Sequence, residues 1–211
     1  MPGKNRRDRL IRLAATHPEW VLGVGDDGWW SRLTQPARHT WTPGERSLRL
    51  GEKALTHEEL DPKALAGSGV LRRATPTMPE QLWLRFATDQ PVSALTLQFL
   101  TWCCQRLAAL GKRALLLAWD NASWHTSQLV RTWLRAHNHH VKRTGRGVRI
   151  VPCWLPSKSP WLNPLEPKWV HGKRAIVEPV RVLTAQEVAE RVCVYYGCPH
   201  EAHLSISEKA D

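Results

Sequence analysis

Apolar positions fall into several short continuous runs and a few helical stripes, separated by polar stretches rich in Pro and Gly. The run Trp20 to Gly25 (WVLGVG) has the length of a buried strand and ends in the acidic pair Asp26-Asp27. Gly28 allows a turn after it, and Trp29 to Leu33 reads as a returning strand. Trp41-Thr42-Pro43-Gly44 is a further turn, followed by a short strand at Leu48 to Leu50. Residues 51–80 mix Pro, Gly and charge without periodicity and read as an insertion or long loop. Leu82 to Ala87 is a strand. From Ala94 to Leu110, Leu97, Leu100, Cys104, Leu107 and Leu110 keep helical spacing, with Gly111 as the stop.

The second half is better organised. Ala114 to Trp119 is a continuous apolar strand, buried on both faces, that ends at Asp120. A helix is expected from Ser127 to His137, with Val130, Trp133, Leu134 and His137 on one stripe. HNHHVKRTGRG (137–147) reads as a basic loop, and Val148 to Leu155 as a strand ended by Pro156. Asn163-Pro164-Leu165-Glu166 reads as a helix start, with Asn at the cap, Pro at the first helical position and Glu at the third. Thr184 to Glu187 forms a capping box, with Leu183 and Val188 spaced as a hydrophobic staple, and this last helix ends near Gly197.

Strand–helix–strand–helix order from 114 to 175 implies parallel strands with right-handed crossovers. The earlier strands, joined by short turns, imply an antiparallel portion. The expected fold class is α/β, a mixed sheet flanked by helices. Residues 1–17 are a basic arm or short helix, 18–200 the main domain, and 201–211 a C-terminal tail.

Charge narrows the function. The 211 residues carry 30 Lys and Arg against 19 Asp and Glu, a formal charge of +11. Such an excess favours a polyanionic partner, because each neutralised phosphate releases condensed counterions. Cys103, Cys104, Cys153, Cys193 and Cys198 contain no C-x-x-C pair and are odd in number, which argues against both a zinc ribbon and a disulfide framework. A ligand set of Cys193 and Cys198 with His200 and His203 is disfavoured by the helix between them. No apolar run is long enough to span a bilayer, and no signal peptide opens the chain, so a cytoplasmic, nucleoid-associated protein is expected.

Three acidic positions lie where strands end or helices begin: Asp26 (or Asp27), Asp120 and Glu166. The carboxyl ends of parallel strands are where open α/β sheets bind ligands. Carboxylates gathered there repel one another, and divalent cations with oxygen preference relieve the repulsion. Two such ions activate a water or a 3′-hydroxyl and stabilise the leaving oxygen of a phosphodiester. Spacing alone also allows a plainer reading, in which these residues only serve turns and helix caps.

The local sequence goes further. WDNASWH (119–125), followed by LPSKSPWLNPLEPKWVHGKR (155–174), resembles the DDE endonuclease of mariner-like bacterial insertion-sequence transposases, and GDDGWWSRLTQPARHTW (25–41) resembles the first catalytic segment of that family. The resemblance covers roughly residues 18–200. It implies an RNase H-like fold, a metal-binding triad of Asp26, Asp120 and Glu166, and two Mg²⁺ or Mn²⁺ ions. Asp27 is then the acidic neighbour of the first ligand, and Asn121, His125 and Asn163 are near-site positions. The implied activity is metal-dependent cleavage at transposon ends followed by strand transfer, with double-stranded DNA of the transposon ends and target as partner. Family members generally act as multimers, so a homo-oligomer is expected. Between Asp120 and Glu166 lie 45 residues, more than usual in the superfamily, and the basic loop at 137–147 is expected to absorb the excess. The nineteen residues before Trp20 are too few for a helix-turn-helix domain. A noncatalytic DNA-binding remnant lacking that domain is therefore the alternative reading.

Lys142, Arg143, Arg146 and Arg149, with Lys158, Lys168, Lys173 and Arg174, are candidate phosphate contacts around the site. Of the twelve tryptophans, Trp119, Trp133, Trp154 and Trp169 fall on expected core faces. Trp29, Trp30, Trp124 and Trp161 flank the acidic motifs and are candidates for stacking on unpaired bases.

Overall fold

The computed structural model describes residues 2–34, 53, 60–87, 90–156 and 159–206. Five strands form one mixed sheet: β1 (Trp20–Ser31), β2 (Ala64–Arg72), β3 (Gln81–Ala87), β4 (Ala114–Trp119) and β5 (Arg149–Trp154), in the order β3-β2-β1-β4-β5. β1 pairs antiparallel with β2 and β2 with β3, while β4 runs parallel to both β1 and β5. The antiparallel-then-parallel division expected from connection lengths is the one observed.

Helices cover both faces. On one face, α2 (Ser93–Ala109), the single turn α3 (Ser123–Thr126) and α4 (Gln128–Thr144) pack on a core that includes Val21, Phe99, Leu100, Leu115, Leu117 and Val130. The other face carries α1 (Pro2–Thr16), α5 (Leu165–Ala175) and α6 (Ala185–Tyr196). There Trp30, Leu65, Leu71, Trp169, Val188 and Val192 are buried together. β4 is buried along its whole length, as a central parallel strand with helices on both sides must be. α6 starts at the expected capping box, in which Thr184 Oγ1 accepts the Glu187 N–H at 3.1 Å and Glu187 accepts the Thr184 N–H at 2.8 Å. Such a cap is worth about 1 kcal/mol.

Of the two readings of the N-terminal basic segment, the helix is the one observed, and its Leu10 is 5% exposed, packed with Leu116 and Cys153. Several other expectations are corrected. Gly28 is not a turn. β1 continues unbroken through Asp26, Asp27 and Gly28 because β2 pairs with it all the way from Gly23↔Arg72 to Ser31↔Ala64. The glycine is there for room, since a Cβ at Gly28 would lie 3.3 Å from the Trp30 ring and 3.5 Å from that of Trp169.

The stretch 51–80 contains β2, a strand whose small residues (ALAGSGVLR) hide its pattern. At Gly69 an added Cβ would come within 2.8 Å of Trp169, so the indole occupies the volume that side chains would fill. The segment 137–147 is not a loop: α4 runs to Thr144, because Val141 continues the buried stripe of Val130 and Leu134, and Gly145 closes the helix at φ 65°. The residues expected in a loop between Asp120 and Glu166 therefore lengthen a helix. On α2 the buried stripe is Leu95, Phe99, Leu100, Cys103, Cys104 and Leu107, whereas Leu110 is exposed.

Residues 201–206 are not a free tail. Leu204 is 2% exposed and its N–H donates to Phe86 O at 2.7 Å, covering the edge strand β3. The expected turn at Trp41 to Gly44 and strand at Leu48 to Leu50 lie outside the described residues.

Candidate active site

The parallel pairing of β1 with β4 ends at Val24↔Ala118, yet β1 continues for seven more residues along β2. Extending that register by two residues sets Asp26 beside Asp120. The step in the sheet, where β4 stops and β1 continues, thus brings together two acids that are far apart in sequence. β5 leaves the sheet just beyond the same end, and the chain passes through a single 3-10 turn (Pro160–Leu162) into α5. Asn163 ties that passage to β1. Its Nδ2–H donates to Gly25 O at 3.4 Å, and its Oδ1 accepts the Leu165 N–H at 3.0 Å. Glu166 consequently lies in the first turn of α5, close enough for its charge to act on Asp26. The helix begins one residue later than expected, with Pro164 at the cap and Asn163 before it.

Strand alternation separates the two neighbouring aspartates. Asp26 shares its face with Val24 and Trp30, the face of α5. It is 5% exposed, and its Oδ2 has no hydrogen-bond partner among the described residues. Burial first, then the charges of Glu166, Asp120 and Asp27, raise its pKa from 3.8 to about 7. Asp27 points to the opposite face, that of α3, where its Oδ2 accepts Trp124 Nε1–H at 2.6 Å and lies 3.1 Å from His125 Nε2. The spacing left Asp26 or Asp27 open as the first acid, and it is Asp26 that joins Asp120 and Glu166.

His125 is 1% exposed and lies against the Trp119 ring with centroids 3.9 Å apart. Its Nδ1 is 2.5 Å from Asp120 Oδ1. Both ring nitrogens face carboxylate oxygens, an arrangement satisfied by an imidazole that donates from both. Burial alone would lower the His125 pKa, but its bonds to Asp120 and Asp27 and their charges hold it above the ordinary value. Asp120 shows the converse. Burial pushes its pKa up, but the hydrogen bond and charge of His125, with the Ala122 N–H at 3.2 Å, hold it below the usual carboxylate value.

The remaining expected residues divide. Asn121 spends its Nδ2–H on Leu155 O, tying the end of β4 to the end of β5 rather than facing the acids. Lys142, Arg143, Arg146 and Arg149 are not around the site. Arg149 pairs with Ala114, the first residue of β4, whereas Asp120 follows its last, roughly 20 Å away at 3.3 Å per residue. The 17 residues of α4 carry the chain about 25 Å at 1.5 Å per residue, which is why this basic group, read as part of a loop, lies at the other pole. Lys168 pairs with Glu80 at 3.3 Å, Lys173 Nζ lies 5.8 Å from the Trp30 ring centroid, and Arg174 is exposed. Lys158 lies outside the described residues.

Of the flanking tryptophans, Trp30 is core, packed edge-on to Trp169 at 5.6 Å. Trp124 is half-buried on Asp27, while Trp29 and Trp161 are exposed. Trp133 and Trp154 are only partly buried. The hydrogen-bonding role of Trp124 was the main feature missed. Its only trace in the sequence is its place beside His125 in a one-turn helix.

The site suits hard divalent cations: its donors are carboxylate oxygens, one of them buried without a partner, and their mutual repulsion is what a cation relieves. Among the described residues, no three His, Cys, Asp or Glu side chains already stand at ligand spacing, so the acids converge without closing.

Residues 88–188 match the DDE superfamily endonuclease family model. The DDE match spans Asp120, Asn121, His125, Asn163 and Glu166, and leaves Asp26 and Asp27 outside it.

Solved structures extend the likeness to nearly the whole chain. A Mos1 transposase paired-end complex with the left transposon end aligns with a TM-score of 0.62 at 15% identity, covering 93% of this chain and 53% of that one. The Mos1 mariner paired-end complex with Mn aligns at 0.57 and 16% identity, covering 92% and 52%. The catalytic domain of Mos1 mariner transposase aligns at 0.55 and 14% identity, covering 94% and 80%. The chain thus spans about half the length of the transposase chains in those complexes, and at this identity the likeness establishes the RNase H-like fold. No curated protein matches the chain significantly. No described helix is long and apolar enough to cross a membrane.

Proposed function

We propose that the chain is the catalytic domain of a DDE transposase, cutting DNA at transposon ends and joining the freed 3′ end to target DNA. The observation that carries this reading is the convergence of Asp26, Asp120 and Glu166 at the end of β4. There Asp26 is raised to about 7 by burial and by the other two acids, and its Oδ2 is unpartnered. A structural cluster would pair or neutralise such groups, whereas a site for cations leaves them to repel one another in the ion's absence.

Asp26, Asp120 and Glu166 would hold two Mg²⁺ or Mn²⁺ ions through their oxygens. The bound ions supply nucleophile activation and stabilise the leaving oxygen. Asp26 gives up the proton that its raised pKa retains near neutrality. Trp29 and Trp161, 46% and 72% exposed, are available to stack on bases unpaired near the cut. Lys168, Lys173 and Arg174 on α5, the helix that carries Glu166, are the cations offered to DNA beside the cut, while Lys142, Arg143, Arg146 and Arg149 serve DNA farther from it. Such an enzyme works where the DNA is, at the nucleoid, and as a homo-oligomer when two ends are held together.

The test is nicking of a labelled duplex carrying transposon ends in Mg²⁺ or Mn²⁺, comparing wild type with Asp120→Ala. Metal-dependent nicking that disappears in the variant is expected. A folded wild type that binds the duplex but leaves it intact would favour a noncatalytic DNA-binding domain instead.

A further inference from the structure

Asp26 and Asp27 adjoin in the chain but serve opposite faces of the sheet, and Asp27 turns away from the space between Asp26, Asp120 and Glu166. An acid there, partly buried, has a purpose only through what it touches. Asp27 Oδ2 takes Trp124 Nε1–H at 2.6 Å and faces His125 Nε2 at 3.1 Å. Through its other nitrogen, His125 reaches Asp120 Oδ1 at 2.5 Å. The Ala122 N–H reaches that same oxygen at 3.2 Å. The His125 ring is itself held between Trp119, at 3.9 Å, and the edge of Trp124, at 5.8 Å. The links Trp124–Asp27–His125–Asp120 thus pass from one face of the sheet, around the end of β4, to the other.

We propose that Asp27 and Trp124 are positioning residues: acting through His125, they fix the Asp120 carboxylate with Oδ1 engaged, so that its remaining oxygen is the one offered to a divalent cation. Asp120 needs such support because it stands half-exposed just past the strand, where a single 3.2 Å bond from the Ala122 N–H is the backbone's hold on its side chain. A carboxylate already held in one rotamer loses less freedom when it ligates an ion. The same geometry explains why the acidic pair has two members with different duties, one facing the cation and one anchoring the histidine. This rests on the endonuclease reading for the use made of the ion.

The experiment measures Mn²⁺ affinity of the full chain by calorimetry, with wild type, Asp27→Asn and Trp124→Phe. Asp27→Asn keeps the side chain's shape while removing its charge, Trp124→Phe keeps an aromatic ring while removing the Nε1–H donor, and thermal unfolding in EDTA verifies that the variants fold. Substitutions behind a first ligand typically weaken metal binding about 10- to 100-fold. We expect a loss in that range for Asp27→Asn and a several-fold loss for Trp124→Phe, with kcat reduced and KM for duplex DNA unchanged. Should Asp27→Asn fail to fold, Trp124→Phe carries the test. Folded variants that bind Mn²⁺ within twofold of wild type would overturn the proposal. Failure of the endonuclease reading would look different: Mn²⁺ bound by wild type and weakened in both variants, with DNA left intact by all three, which still supports the clamp.

Discussion

Replacing Asp26 by Asn removes a charge that the metal-free fold holds at a cost. The residue is 5% exposed, and its pKa rises from 3.8 to about 7 through burial first and then through Glu166, Asp120 and Asp27. For an acid raised in the folded state, the proton-linked stability is fully present below the unfolded value and is lost as pH climbs through the folded one. The window is therefore from 3.8 to about 7. At 1.36 kcal/mol per pKa unit, this one residue makes the metal-free protein about 3 kcal/mol less stable at pH 8 than at pH 5, to order of magnitude. Asn carries no charge at any pH. Its amide meets the unpartnered surroundings of Oδ2, which costs about 1–3 kcal/mol for a buried unsatisfied group.

The two effects predict a crossover in EDTA. Asp26→Asn should be less stable than wild type at pH 5, by about 1–3 kcal/mol, and overtake it by pH 8, where the roughly 3 kcal/mol lost by wild type leaves the variant ahead by up to about 2 kcal/mol. Urea unfolding followed by tryptophan fluorescence measures both. Mn²⁺ at 100 times its Kd should then add about 2.7 kcal/mol to wild type and far less to the variant. Parallel pH profiles for the two proteins in EDTA would refute the reasoning, because they would mean that Asp26 is not held charged against its neighbours.

Two further outcomes follow from packing and charge. Gly69→Ala places a methyl 2.8 Å from the Trp169 ring and should destabilise the fold by about 1–3 kcal/mol, read as a lower urea midpoint; an unchanged midpoint would mean that the indole moves freely. Neutralising Lys142, Arg143, Arg146 and Arg149 together to Gln should weaken duplex binding and reduce the slope of log K against log salt by about 0.9 for each phosphate no longer neutralised; an unchanged slope would mean that this pole faces only water.

Much of the fold is readable from the chain, and the reasons are local. β4 and β5 are short apolar runs bounded by an acid or a proline, and the boundaries of α6 are written in the Thr184–Glu187 box and Gly197. β2 escaped because Ala64 to Arg72 is made of small residues whose place in the sheet is set by Trp169 packing on Gly69 from another layer. The length of α4 escaped for a related reason. His137 to Thr144 is polar enough to read as a loop, and only the burial of Val141 against the rest of the fold keeps it helical.

The site divides along the same line. Asp120 and Glu166 stand out in the chain because each lies at a strand end or helix start, where gathered acids suggest a hard-cation site, and the fold brings both to the same end of the sheet as Asp26. What the chain alone determined is therefore β3 to β5, the cores of α2 and α4, the ends of α6 and the parallel half of the sheet, all consequences of hydrophobic period and capping chemistry within a few residues. Tertiary structure decided which of two adjacent aspartates faces the others, that Trp124 and Asp27 hold His125, and that four basic residues stand at the far pole. Those facts depend on where β4 stops beside β1 and on which way a 17-residue helix leads the chain, and both are settled by pairing between segments remote in sequence.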